Sequence, residues 1–223
     1  MAMNFVSNVQ QVQAMVSGPL PGGSIAFEQM GEGKTLLLVA GTGFAGGTWP
    51  PALLERLTRR FRVITFDHRG TGRTPSTEGS YSTRLFAADA LALLDHLGIE
   101  RCHVLGHSMG GRVAQWMALD GPDRVLSLVL AASGPGRYRD DQRPAEGIPP
   151  ALALALEEKG YERFMTDHIR ATFFTPEAAG SPEADWLVDA YWRTRPDLTN
   201  LAIPFKLNFD FKVKLVSYQR LGG

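Results

Sequence analysis

The segment that most constrains the fold is Gly106–Gly110, which reads Gly-His-Ser-Met-Gly. It lies between an apolar run that ends at Leu105 and a helix-like stretch over Gly111–Leu119. A Gly-x-Ser-x-Gly segment at a sharp turn from strand to helix is typical of a nucleophile elbow, in which the serine backbone is strained. Glycine is then required two positions before and two after the serine, because the turn leaves no room for a Cβ. The pattern predicts Ser108 as a nucleophile exposed beside the N–H groups of a helix N-terminus.

Size and composition limit the classes of function. The 223 residues, 44% of them hydrophobic, are enough for one sizeable core and a small appended subdomain. Lys plus Arg and Asp plus Glu number 23 each, without a long run of either sign, so we expect a small-molecule partner rather than nucleic acid or membrane. The single Cys102 lies in an apolar strand and predicts a buried thiol. Met1–Gly18 has neither a basic start nor an apolar run, which predicts a cytoplasmic protein without a signal peptide.

Strand and helix patterns alternate through the first part of the chain. The predicted strands are Ser24–Met30, Thr35–Ala40, Arg62–Phe66, Arg101–Leu105 and a buried strand over Val125–Ala132, and the predicted helices are Pro51–Phe61 and Ser82–Leu97. This alternation predicts an α/β fold with a mostly parallel, doubly wound sheet and helices on both faces.

The amino-acid composition changes after Ser133. Gly134–Pro150 is rich in Gly, Pro and charge and predicts a linker, whereas the following residues to Thr199 hold only helical patterns, including Ala151–Lys159 and Tyr161–Phe174. We therefore divide the chain into a core at 1–135, a helical cap at 136–200 and an amphipathic tail at 201–223. The cap aromatics Trp186, Tyr191 and Trp192 are assigned to packing within the cap, with contact to an apolar substrate as the alternative.

Gly41–Gly46 has two interpretations. It matches Gly-x-Gly-x-x-Gly after a strand, and Asp67 ends the next strand, as a dinucleotide-binding fingerprint requires. In that fingerprint the third glycine lies in the first turn of the helix. Here Trp49-Pro50-Pro51 follows, and two prolines would break a helix that had already begun, which disfavours an NAD(P)-binding oxidoreductase.

The second interpretation makes the same loop part of an oxyanion hole. Acyl transfer places negative charge on a carbonyl oxygen, and each backbone N–H that faces it lowers the barrier by about 3–4 kcal/mol. The predicted donors are the N–H groups of Met109, directly after the serine, and of Thr42, with Phe44 as the alternative to Thr42. Glycines at 41 and 43 allow the backbone to come close.

Residues from about Gly31 to Ser133 resemble the α/β-hydrolase fold family. The resemblance rests on Leu36–Thr42, Phe66–Gly72 and Gly106–Gly111 at their observed spacing. Similar members include 3-oxoadipate enol-lactonases, carboxylesterases, C–C bond hydrolases and cofactor-free haloperoxidases. The resemblance implies a serine hydrolase of a small, largely apolar ester, lactone or related carbonyl compound, without cofactor or metal. Serine at 108, where aspartate would stand, argues against the haloalkane dehalogenase and epoxide hydrolase branches. Ala40 departs from the His that many relatives carry there.

A general base for the serine is missing from these motifs. In this family the acid and then the His follow the serine in the chain. His68, His96, His103 and His107 precede Ser108 and are interpreted as structural, whereas His168 follows it but falls within a predicted cap helix. Asp140 and Asp141 come several residues too late for the acid and are interpreted as a solvated pair in the linker.

The C-terminal residues offer a reason for this deficit. Leu207–Leu215 alternates apolar and polar residues, unlike a central parallel strand. A complete sheet would need two further strand-plus-helix units, about 50–60 residues. We therefore expect the final core strands to be missing and the chain to be nearly inactive, with self-association possible through an open sheet edge. The alternative is a binding scaffold of the same fold that does not turn over its ligand.

Overall fold

The computed structural model of the chain describes residues 24–77, 81–134 and 160–194. The strands are β1 (Phe27–Met30), β2 (Lys34–Val39), β3 (Phe61–Phe66), β4 (Cys102–His107) and β5 (Val125–Ala131). The helices are α1 (Pro51–Thr58), α2 (Thr83–His96), α3 (Met109–Asp120), α4 (Tyr161–Phe173) and α5 (Pro182–Thr194).

The five strands form one sheet in the order β1-β3-β2-β4-β5. β2 pairs in parallel with both β3 and β4, β4 pairs in parallel with β5, and only β1 runs antiparallel, against β3. Parallel strands need a crossover connection, and in this chain helices supply it. The predicted α/β class with a mostly parallel sheet is confirmed.

Helices cover both faces of the sheet, because alternate strand residues point to opposite sides. Leu37, Val39, Ile64 and Val104 pack on one face with residues of α2 and α3. Neighbouring residues of the same strands, with Leu36, Leu38 and Val63 among them, pack on the other face with leucines of α1. The sheet is therefore doubly wound, and its central strands read as continuous apolar runs for that reason.

Capping and pairing explain where the helices begin and end. Ser82 precedes α2 and its hydroxyl accepts the Leu85 N–H at 3.0 Å, which satisfies one exposed donor of the first turn. The prediction that α1 continues to Phe61 is wrong. The helix ends at Thr58, because Phe61 pairs with Lys34 and opens β3.

The prediction that Val125–Ala132 is a buried strand is also wrong. Only Val125 is buried in β5, while Leu126, Val129 and Leu130 are 38%, 50% and 40% exposed. Within the described residues β5 has a partner strand on one side only, namely β4. An apolar composition predicts a strand that can be buried, but the neighbouring strand and helices decide whether it is.

Helices α4 and α5, which fall in the predicted cap and are called the cap helices, form a small apolar cluster around Ile169, Val188 and Tyr191, and Phe44 of the core packs against it. The linker, the predicted helix at 151–159, Asp140, Asp141 and the tail at 201–223 lie outside the described residues, and the division into three segments stays a prediction. Cys102 is buried as predicted, and burial raises the pKa of its thiol to about 12. Among the described residues, no helix is both long and apolar enough to cross a membrane. The cytoplasmic location stays a prediction.

Candidate active site

Ser108 occupies a sharp turn between β4 and α3. β4 includes Gly106 and His107, which the sequence analysis placed beyond the strand, and α3 begins at Met109 rather than at Gly111. The Ser108 backbone has φ 53° and ψ −119°, a conformation that a residue with a side chain adopts only under strain. Its N–H donates to the Ala131 carbonyl of β5 at 2.9 Å, which fixes the turn against the neighbouring strand.

Two glycines make this turn possible. A Cβ on Gly106 would lie 2.3 Å from the carbonyl oxygen of Gly110, and a Cβ on Gly110 would lie 2.0 Å from the carbonyl oxygen of Val39. Both contacts are with backbone that cannot move aside, so a larger residue at 106 would push α3 away from β4, and one at 110 would push the turn away from β2. The strained serine and the two obligatory glycines are the geometry of a nucleophile elbow.

The loop 41–46, which we call the oxyanion loop, lies directly against this turn. A Cβ on Gly41 would come within 3.3 Å of Ser108 Cβ. The Phe44 N–H donates to the Gly41 carbonyl at 3.2 Å, so it is already engaged within the loop. No hydrogen bond is found for the Thr42 N–H among the described residues, and Met109 stands at the first position of α3, where N–H groups have no acceptor within the helix. The geometry favours Thr42 over Phe44 as the partner of Met109.

The same contacts argue against a dinucleotide site. The carboxylate of Asp67, the candidate ribose ligand, is 97% shielded and accepts the N–H groups of Gly46 and Arg73 at 2.8 and 2.9 Å. In addition, α1 begins at Pro51, well after Gly46. The loop therefore lacks both the helix N-terminus and the available carboxylate that a dinucleotide requires.

None of the five histidines is hydrogen-bonded to Ser108, and all five lie in the part of the chain that the structure describes. His96 and His168 are exposed on α2 and α4, and the His168 ring stacks on Phe164 at 5.8 Å. His103 Nδ1 is hydrogen-bonded to Ser127 Oγ at 2.7 Å. The loop 41–46 lies against Ser108, but no histidine among the described residues is hydrogen-bonded to this serine as a base.

The two remaining histidines have other surroundings. His68 is buried beneath the oxyanion loop, where its Nε2 lies 3.3 Å from the Ala40 carbonyl oxygen. His107 is half-buried, with its ring centroid 6.4 Å from that of Trp49 and 6.1 Å from that of Phe173 in α4. Burial lowers the pKa of His107, so the neutral ring is favoured next to these aromatic side chains.

Aromatic side chains connect the cap to this site. Phe44 of the oxyanion loop contacts Phe173 of α4 and Tyr191 of α5, with ring centroids 5.3 and 5.5 Å apart. Phe173 is still 39% exposed. The aromatic side chains of Phe44, Trp49 and Phe173, which we call the apolar wall, therefore leave this side of the site partly open to solvent. Sequence reasoning assigned Tyr191 to cap packing, which fits its position, but missed Phe173, whose role depends on how α4 meets the loop.

A second feature that the sequence analysis missed is a buried ion pair. Arg69 donates through Nε and an Nη atom to both carboxylate oxygens of Asp89, each at 2.5 Å, and both side chains are more than 90% buried. The pair ties the loop after β3 to α2. Arg69 lies within the Phe66–Gly72 motif, but its partner is 20 residues away and only the fold brings the two together.

Comparisons with known proteins agree with this architecture. Residues 34–179 match the family model described as the alpha/beta hydrolase fold. A protein of Caulobacter sp. (strain K31) that bears the provisional name carbamate hydrolase RutD is 36% identical over 155 residues, which are 69% of this chain and 53% of that protein. The pimeloyl-[acyl-carrier protein] methyl ester esterase of Aeromonas hydrophila is 33% identical over 165 residues, 72% of this chain and 60% of that enzyme.

A solved structure is similar as well. The crystal structure of a hydrolase from Pseudomonas aeruginosa PA01 superposes with a TM-score of 0.65 at 28% sequence identity, covering 85% of this chain and 70% of that one. The chain thus spans little more than half the length of the curated relatives it matches.

Proposed function

Since this chain belongs to the α/β-hydrolase fold family, we propose that it carries the nucleophile and oxyanion hole of a cofactor-independent serine hydrolase. The observation that carries the proposal is the strained Ser108 at the elbow, with the oxyanion loop against it. The substrate class is a small, largely apolar ester, lactone or related carbonyl compound. The apolar wall of Phe44, Trp49 and Phe173 supports this class, as do relatives named for methyl ester and carbamate hydrolysis.

The proposed reaction begins with attack of Ser108 Oγ on the carbonyl carbon. The carbonyl oxygen becomes negative and accepts hydrogen bonds from the N–H groups of Met109 and Thr42. The bond from the carbonyl carbon to the leaving oxygen then breaks, and that oxygen takes a proton from water to become an alcohol, which departs from an ester and stays attached to the acyl group of a lactone. The acyl group remains on Ser108 until water attacks it and releases the acid. The serine proton needs an acceptor, and among the described residues, which include all five histidines, none of these rings is hydrogen-bonded to Ser108.

The missing base has a kinetic consequence. A histidine base assists both acylation and the attack of water on the acyl-enzyme, and removing a triad member costs orders of magnitude in rate. We expect this polypeptide to acylate slowly, with the Ser108 proton passing to water, and to deacylate slowly too. With an activated ester, whose phenolate leaves without a proton, acylation should be faster than deacylation, and an acyl-enzyme should accumulate.

Mass spectrometry of the protein after incubation with p-nitrophenyl acetate tests this proposal. We expect one acetyl group on the Ser108 peptide of the unchanged protein, and none on that peptide in Ser108→Ala. Ser127→Ala is the matched control, because it removes a serine hydroxyl from the neighbouring strand β5 and should acetylate at Ser108 as usual. Absence of the Ser108 adduct would contradict the nucleophile assignment, and hydrolysis at ordinary enzyme rates would contradict the missing base.

A binding scaffold without turnover is the second candidate. The observation in its favour is the same lack of a histidine at Ser108 among the described residues. Such a scaffold would bind an apolar carbonyl compound without forming an adduct. Calorimetric titration with a non-hydrolysable ketone analogue, beside the acylation experiment, distinguishes the two candidates: binding without acylation favours the scaffold.

A further inference from the structure

Both ends of the oxyanion loop rest on the segment that follows β3. The loop begins after β2 and ends at the short turn Gly46–Thr48. A Cβ on Gly46 would lie 3.0 Å from the Phe66 N, so this end of the loop is pressed onto the last residue of β3. Two consecutive residues, Asp67 and His68, come next in the chain, and each contacts one end of the loop.

Asp67 holds the end of the loop. One carboxylate oxygen accepts the Gly46 N–H at 2.8 Å, and the other accepts the Arg73 N–H at 2.9 Å. Arg73 Nε lies 3.4 Å from the second oxygen and supplies the opposite charge. A Cβ on Gly72 would lie 2.3 Å from the same oxygen, so the glycine at 72 makes room for this carboxylate. Charge-assisted bonds from a buried carboxylate are among the stronger hydrogen bonds in proteins.

His68 holds the beginning of the loop. Its Nε2 lies 3.3 Å from the carbonyl oxygen of Ala40, and since a carbonyl can only accept, Nε2 must carry the proton. The ring stacks on Phe86 with centroids 4.7 Å apart, and Nδ1 is buried without a hydrogen-bond partner among the described residues. Burial lowers the pKa of His68 to about 4, so the imidazole is neutral near pH 7 and donates a single hydrogen bond, to Ala40.

The backbone in the middle of the loop makes few hydrogen bonds of its own, and the Phe44 side chain is what packs there, against Phe173 and Tyr191. Gly43 has φ +75° and a Cβ placed on it would contact nothing within 4 Å. Within the loop backbone the Phe44-to-Gly41 hydrogen bond is 3.2 Å long. An oxyanion donor is effective only when it is already oriented before charge develops. A glycine-rich segment achieves this only if its ends are fixed.

We propose that Asp67 and His68 are positioning residues that fix the two ends of the oxyanion loop and thereby orient the Thr42 N–H toward the reacting carbonyl. The inference rests on the proposed function for its catalytic consequence. Its structural content, the order of loop 41–46, is independent of that function.

Four variants separate positioning from a general loss of stability. Asp67→Asn leaves a single acceptor oxygen for the N–H groups of Gly46 and Arg73 and places its amide nitrogen against the other, so the two bonds cannot both form. His68→Met removes the donor to Ala40 while keeping an apolar side chain of similar reach. His68→Gln is the rescue variant, because its amide nitrogen can replace Nε2 as a donor. Asp89→Asn is the matched control: its carboxylate is as buried as that of Asp67 but bonds Arg69 and does not contact the loop.

Two measurements are made on each variant, below its unfolding temperature. The first is hydrogen exchange of the peptide that spans 41–46, followed by mass spectrometry. The second is the rate of Ser108 acetylation by p-nitrophenyl acetate, as a function of ester concentration. In Asp67→Asn and His68→Met we expect exchange in the loop to accelerate by about tenfold and maximal acetylation to slow by about tenfold, with half-saturation unchanged. His68→Gln and Asp89→Asn should keep the exchange rate of the unchanged loop.

Unchanged loop exchange in both Asp67→Asn and His68→Met would overturn the inference, as would equal acceleration in Asp89→Asn. If Asp67→Asn does not fold, the His68→Met and His68→Gln pair decides alone. Failure of the unchanged protein to acetylate at Ser108 would contradict the proposed function, whereas the exchange measurement would still decide whether these two residues order the loop.

Discussion

Burial of the His68 side chain makes the stability of the fold depend on pH. The side chain lies wholly inside the protein, stacked on Phe86 and edge-on to Phe66, with ring centroids 4.7 and 4.9 Å away. Burial lowers its pKa from 6.5 to about 4, and the hydrogen bond to Ala40 offsets this only in part. Between these two pH values the unfolded chain binds more protons at this position than the folded chain, so the free energy of unfolding must rise with pH.

We predict that His68 removes about 3 kcal/mol from the free energy of unfolding as the pH falls from 6.5 to 4. His68→Gln cannot take up this proton. Over the same pH range its free energy of unfolding should therefore fall by about 3 kcal/mol less than that of the unchanged protein. Urea unfolding at a series of pH values measures the difference. His96→Gln, which removes an exposed histidine of α2, is the control and should follow the unchanged protein. A loss in His68→Gln as large as in the unchanged protein would show that other groups cause the acid sensitivity.

At the scale of elements, the cap helices meet the core through the oxyanion loop. Phe44 lies between Phe173 of α4 and Tyr191 of α5, within the cluster that also contains Ile169 and Val188. One aromatic side chain from the core therefore completes the small apolar core of the cap. A helical pair of this size has little buried surface of its own, so its stability depends on such contacts.

We expect Phe44→Ala to loosen the cap while leaving the sheet intact. The cost should be about 1–3 kcal/mol, below that of a fully buried phenylalanine, because Phe44 is only half-buried. Limited proteolysis should then cut faster within 160–194 and at an unchanged rate within 81–134. Phe164→Ala is the control on α4, since that ring stacks on the exposed His168 instead. Equal sensitivity of the two variants would mean that Phe44 has no special part in holding the cap.

The sequence predicted the features that neighbouring residues determine and missed those that depend on contacts between distant residues. The elbow, the central strands and α2 follow from neighbouring residues: obligatory glycines, continuous apolar runs and the helical pattern over Ser82–Leu97. The end of α1 was mispredicted because Phe61 fits a helical pattern as well as a strand, and its pairing with Lys34 decides between them. The hydrogen bonds of Asp67 and His68 to the oxyanion loop join residues 21 and 28 positions apart, so no local pattern predicts them.

At the scale of the whole molecule, the strand β5 determines how the sheet meets its surroundings. Leu126, Val129 and Leu130 are all more than one-third exposed, and within the described residues only β4 pairs with this strand. A flat apolar edge with unpaired N–H and C=O groups is a template for pairing with another chain. We propose that two copies of this chain associate through β5, which is the open-edge association expected from the sequence.

The prediction is that Val129→Lys weakens self-association by about tenfold, since a charge on an edge strand opposes pairing and must be desolvated in the contact. Val129 is 50% exposed, so a lysine there should not disturb the core of the monomer. Leu119→Lys is the matched control, because Leu119 is 43% exposed but lies on helix α3 and takes no part in strand pairing. Sedimentation velocity over a wide range of protein concentrations measures both variants. An unchanged protein that stays monomeric throughout, or a Leu119→Lys variant that dissociates as readily as Val129→Lys, would rule out β5 as the contact.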